Sequence, residues 1–238
     1  LSDEYAVLFL QGGATAQFAM VPMNLLGPGQ TADYANSGAW AAKAIKEAKV
    51  VGNVHIAADT SQELPARVPD ADHLELTEGA AYLHITSNET ISGAQWKAFP
   101  RSKAPLVADM SSDIFSRPLD IGQFGLIYAG AQKNLGPSGI TLVVIRKDLI
   151  ERVSESVPLF FRYKTHFDAN SLYNTPPTFS MYLVCLVTRW LRQEGGLAAI
   201  HKRNEEKADK LYGVIDGTEF YRGTADIHHR SAMNVTFR

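Results

Sequence analysis

Two side chains carry most of the chemical information in this chain, Lys133 and Asp109. Lys133 stands in YAGAQKNLGPSG, a loop bounded by Gly130, Gly136 and Gly139 between two apolar runs. A lysine withdrawn from water in such a loop has a depressed pKa, so its neutral amine can attack an aldehyde and form an imine. A surface lysine in a hairpin is the plainer alternative. Asp109 ends the apolar run before MSSD, a costly place for a carboxylate unless a cation such as a pyridinium nitrogen pairs with it. An Asx turn or helix cap would use the same residue. In QGGATAQF, residues 11–18, two glycines run into a helix start, where free amides and the helix dipole suit a phosphate. A tight turn would read the same way.

These loops need strands behind them. Apolar runs at Ala6–Leu10, Ala81–Thr86, Pro105–Met110, Leu126–Ala129 and Ile140–Ile145 predict strands, and Met233–Phe237 predicts one more. Helices are expected over Ala14–Leu26, with Pro22 bending or ending it early, over Gly38–Lys49, and after Pro176-Pro177. That last helix carries Leu183, Leu186, Val187, Trp190 and Leu191 as one stripe and stops at Gly195-Gly196. Leu197–Ile215 continues as a charged amphipathic helix with a solvated face. The alternation predicts an α/β fold, a three-layer αβα large domain on a mainly parallel, mixed sheet. Residues 1–195 form that domain, and 196–238 the linker helix and start of a smaller C-terminal α+β domain. Both ends read as cut from a longer protein.

Composition bounds the rest. The 238 residues are 45% hydrophobic and 20% charged, with formal net charge −2, so neither nucleic acid nor an anionic membrane is expected as partner. Seven scattered histidines give no metal-ligand spacing, and no metal is expected. One cysteine excludes an intrachain disulfide and fits the cytoplasm. No apolar run approaches the roughly 20 residues of a membrane span.

AGAQKN followed by GPSG, with ADMSSD about twenty residues upstream, resembles the phosphoserine aminotransferase family of fold-type I pyridoxal-phosphate (PLP) enzymes. LFLQGGATAQFAMVPMNLL, TADYANSGAWAAKAIKEAK, SNETISG, YNTPPTFSMYLVCLV and RSAMNVTF extend the similarity over most of the chain. Trp96–Pro105 and Pro158–Ala169 match poorly. The resemblance implies PLP as cofactor, held on Lys133, with Gln132 on its phosphate and Asp109 on its ring nitrogen. It implies Trp40 stacked on the ring, Thr90 on the phenolic oxygen, and phosphate-binding amides at Ala14 and Thr15. Without it, Trp40 is a core aromatic of its helix. It further implies a homodimer in which Asn174 and Thr175 reach the partner's cofactor phosphate; alone, that pair reads as a turn. The family's substrate-gripping His-Arg elements are expected outside this chain. The implied activity moves an amino group from glutamate to 3-phosphohydroxypyruvate. A cysteine desulfurase or alanine–glyoxylate-type aminotransferase shares the fold, but a desulfurase needs an accessible thiol, and Cys185 in MYLVCLV reads as core. A non-catalytic protein with a Lys133–Asp109 ion pair would be colourless.

Overall fold

The computed structural model describes residues 2–238. In chain order the elements are β1 (Tyr5–Leu10), α1 (Gly13–Leu25), β2 (Thr31–Asn36), α2 (Ala39–Val51), β3 (Asn53–Asp59), β4 (Leu83–Thr86), the short β5 (Asn88–Glu89) and β6 (Ala94–Gln95), β7 (Leu106–Asp109), β8 (Leu126–Gly130) and β9 (Thr141–Arg146). Helices α3 (Lys147–Ile150), α4 (Tyr163–Asp168), α5 (Thr178–Gln193) and α6 (Gly196–Asp216) follow. Seven strands form one sheet in the order β1-β9-β8-β7-β4-β2-β3. Pairing is parallel from β8 to β3, while β9 runs antiparallel to both β8 and β1. Strands β4, β7 and β8 are buried along their whole length, as apolar runs covered on both faces should be.

Each face has its own core. Phe18 and Val21 of α1 and Ala44 and Ile45 of α2 pack with Leu8, Tyr34 and Tyr128. On the other face Val184 of α5 joins Ile85, Met110, Ile127, Leu142 and the buried Trp96. This is the expected αβα layering, with all of β1, β2, β4, β7 and β8 ending at the same rim.

Several expectations fail locally. Pro22 lies inside α1 without ending it: its missing N–H leaves one turn unsupported, and the buried ring packs while the Leu26 amide donates to Pro22 O at 2.9 Å. The strands β2 and β3 were not foreseen. Met233–Phe237 is not a strand, because the Ser231 hydroxyl accepts from the amides of Met233 and Asn234 and turns the chain. Cys185 is exposed, not core. It lies on the flank of α5 and lines a cavity of about 600 Å³ with Val7, Phe9, Leu142, Val144 and Leu197.

Candidate active site

The rim where the parallel strands end gathers the predicted residues. Lys133 follows β8 in the connection to β9, a turn that Gly139 closes at φ 96°. Its Nζ donates to Thr90 Oγ1 at 2.7 Å and lies 4.4 Å from the centroid of the Trp40 ring. The residue is exposed overall, less withdrawn than expected, yet its amine is partly desolvated, which lowers its pKa below the ordinary lysine value. Negative charge on Asp109, Glu89 and Asp113 opposes that shift, and Lys43 adds to it. No direct ion pair joins Lys133 to Asp109 among the described residues.

Asp109 is the last residue of β7 and only 5% exposed. Burial raises its carboxyl pKa, and the Ser111 hydroxyl and amide, at 2.6 and 2.9 Å from Oδ1, pull it back. Oδ2 accepts nothing from the described residues. A buried carboxylate with one oxygen uncommitted fits a cationic ring nitrogen. The Asx turn to Ser111 is also present, so both readings of this residue apply at once.

The phosphate end is built from three segments. Gly12 takes the left-handed φ of 90° that a side chain would resist, and α1 starts directly after it with no side-chain cap. The amides of Ala14 and Thr15 have no acceptor among the described residues. A Cβ on Gly130 would lie 2.8 Å from Gln132 Oε1 and 3.2 Å from the Ala14 nitrogen, so strand end, glutamine and helix start converge there. Unpaired amides at a helix N-terminus beside an amide side chain suit a phosphate group.

Trp40 is the second residue of α2, and its indole Nε1 is buried without an acceptor among the described residues. Lys43 Nζ lies 4.3 Å from the same ring, a second cation that the sequence reading missed. Glu89 and Ser111 were missed as well; the signal was their adjacency to Thr90 and Asp109. Asn174 and Thr175 do not join the cluster. Gln11 donates to Thr175 O at 3.0 Å, and neither side chain bonds to Lys133, Gln132 or Asp109. No group of metal-ligating side chains occurs among the described residues.

The sequence profile of the aminotransferase class-V family matches residues 1–238. The chain belongs to that family. The phosphoserine aminotransferase of Niallia circulans is 53% identical over 236 residues, covering 98% of this chain and 65% of its own length. Among solved structures, the Bacillus circulans subsp. alkalophilus phosphoserine aminotransferase is 51% identical with TM-score 0.95, covering all of this chain and 66% of its own. The PLP-bound phosphoserine aminotransferase of Trichomonas vaginalis, 38% identical, also superposes at TM-score 0.95 over all of this chain and 67% of its own. The chain thus spans about two thirds of the length of these relatives. The observed αβα fold is theirs. Cys185 is accessible after all, so burial gives no argument against thiol chemistry. Position does: the cavity beside it is lined by none of Lys133, Asp109, Trp40 or Gln132.

Proposed function

We propose that this chain is the cofactor-holding part of a PLP-dependent phosphoserine aminotransferase. The enzyme would move the amino group of glutamate to 3-phosphohydroxypyruvate, giving O-phosphoserine and 2-oxoglutarate in serine biosynthesis in the cytoplasm. 4-Phosphohydroxythreonine, of pyridoxine biosynthesis, is a second substrate of the same chemistry. The observation that carries the reading is the convergence of Lys133, Thr90 and Trp40 beside a buried carboxylate with a free oxygen.

PLP, when bound, supplies an electron-withdrawing ring that stabilises negative charge at the substrate α-carbon. Ala14, Thr15 and Gln132 would hold its phosphate, Trp40 would cover the ring face, and Thr90 would meet its phenolic oxygen. Asp109 would keep the ring nitrogen protonated, since an unpaired buried carboxylate strongly favours a cationic neighbour. The Lys133 amine would take a proton from the α-carbon and return it to the cofactor's C4′ carbon, and a depressed pKa leaves more of that amine neutral at neutral pH. Borohydride reduction of the full-length protein with PLP, followed by peptide mass mapping, should place the pyridoxyl group on Lys133. An adduct on Lys43, Lys147 or any other lysine would overturn the assignment.

We assign residues 196–238 to the linker helix and start of a second domain. The active unit is proposed to be a homodimer with Asn174 and Thr175 serving the partner's cofactor. Their distance from the bonding network of Lys133 within one chain supports this reading. Mixing Lys133→Ala chains with Asn174→Ala/Thr175→Ala chains should restore one site per mixed dimer. If subunits exchange and tight PLP binding never returns, the loop acts within its own subunit.

A further inference from the structure

Helix α2 lacks a cap of its own. Gly38 occupies the N-cap position and offers no side chain. The first-turn amides are satisfied instead from 48 residues away: Glu89 Oε2 accepts from the Trp40 amide at 3.1 Å, and Oε1 from the Ala41 amide at 3.0 Å and from Ser37 Oγ at 3.3 Å. The fit is close, since a Cβ on Gly38 would stand 2.8 Å from Glu89 Cδ. Glu89 itself is fully buried.

A serine or aspartate at position 38 would cap α2 as well, without burying a distant charge. The remote carboxylate does something a local cap would not. The next residue, Thr90, accepts from Lys133 Nζ at 2.7 Å. Two consecutive residues therefore grip the two partners, Lys133 and Trp40, that meet at 4.4 Å. The grip is stiff, because β5 pairs with β6 and the Gly93 amide closes the turn onto Glu89 O at 2.9 Å.

We propose that Glu89 is a positioning residue for the Lys133 site, its carboxylate fixing the Trp40 ring against the lysine amine and adding a negative charge beside it. The inference deepens the proposed function and rests on that reading for its catalytic meaning. Burial raises the Glu89 pKa, the α2 amides and Ser37 lower it, and Asp109 raises it. Lys133 feels Asp109, Glu89 and Asp113 as anions and Lys43 as a cation.

Two variants of the full-length protein separate position from charge. Glu89→Gln keeps the size and removes the charge; Gly38→Ala keeps the charge and pushes the carboxylate off the α2 amides. Both are read first without cofactor, by the fluorotryptophan NMR resonance of Trp40 (assigned with Trp40→Phe) and by the pH dependence of Lys133 labelling with an amine reagent. Glu89→Gln should shift the Lys133 titration to lower pH and raise its labelling near neutrality several-fold. Gly38→Ala should displace the Trp40 resonance and, in the PLP-loaded protein, lower kcat by ~10- to 100-fold with a smaller change in KM. The unaltered protein supplies a measurement that needs no variant: the Trp40 resonance should titrate in acid with a midpoint above the ordinary glutamate value. If that resonance stays still through the acid range, or both variants keep wild-type Trp40 and Lys133 behaviour and lose only thermal stability, Glu89 is a cap and nothing more. Failure of borohydride to fix PLP on wild-type Lys133 would instead sink the proposed function, leaving the two cofactor-free readouts to judge this inference.

Discussion

The rim at the ends of β4, β7 and β8 and the cavity beside α5 are the molecule's two concave regions of interest, and they differ in kind. The cavity has a volume of about 600 Å³, and its wall is almost wholly apolar. The rim holds hydrogen-bonding capacity that the described residues leave unspent: Asp109 Oδ2, the Trp40 indole N–H and the α1 amides. Exposed apolar surface marks where partners pack; uncommitted polar atoms mark where chemistry happens. The same contrast recurs four residues apart. Asp113, as buried as Asp109, has both oxygens bonded, Oδ1 by Ser87 and Oδ2 by Gln95 at 3.1 Å. Burial alone does not distinguish them. The free oxygen does.

The contrast can be tested from its strongest consequence downward. Lys133→Ala should cut amino transfer by ~10²–10⁴-fold or more in a steady-state assay, since it removes the group placed to move the proton. Activity near wild type would shift attention away from the rim altogether. Asp109→Asn should lower turnover ~10²–10³-fold, with thermal unfolding of the cofactor-free protein unchanged or slightly raised, because a buried charge without a cationic partner is removed. Asp113→Asn should do the reverse, costing about 1–3 kcal/mol of stability by denaturant unfolding while the PLP-binding step survives. If the two variants behave alike, the free-oxygen criterion fails.

A third effect belongs to the sheet beneath the rim. His84 of β4 stacks on Tyr34 and meets the Tyr128 hydroxyl at 2.9 Å. Burial pushes its pKa down from 6.5 to about 3. The unfolded chain therefore takes up a proton near pH 6.5 that the folded chain refuses. Stability from this group is complete above that pH and falls by about 1.4 kcal/mol per unit toward pH 3. Urea midpoints across that range should decline in the wild type and decline less in His84→Phe. The smallest effect is expected in the cavity. Cys185→Ser should change stability by less than about 0.5 kcal/mol and leave transfer intact; a large loss of transfer would revive thiol chemistry and upset the contrast.

Much of this was legible beforehand. Continuous apolar runs gave β4, β7, β8 and β9 to within a residue or two, since strands covered on both faces need no alternation. The end of β7 and the loop after β8 carried Asp109 and Lys133 in plain view. Strands β2 and β3 escaped because polar residues interrupt TADYAN and NVHIAAD: Asp33 of β2 is 1% exposed and is satisfied only by Thr77 and His55, neighbours invisible in a linear reading. Glu89 escaped for the same reason, its partners lying 48, 49 and 52 residues upstream. Cys185 was misjudged because an apolar run was read as buried all round, whereas α5 buries one side only, through Val184 and Leu191.

The single reversed strand β9 has a consequence for how the chain comes off the ribosome. Among the described residues β1 pairs with β9 alone, Tyr5 against Arg146 and Leu10 against Thr141. Its sequence, YAVLFL, is an uncharged, β-prone segment of the kind that associates with other chains when left open. At translation speeds of about 5–20 residues per second, that partner strand emerges roughly 7 to 27 seconds after it does. During that interval an early strand must wait, shielded by chaperones or by transient contacts. Expression at lower temperature, or with more trigger-type chaperone, should therefore raise the soluble yield of this fold more than any substitution at the rim.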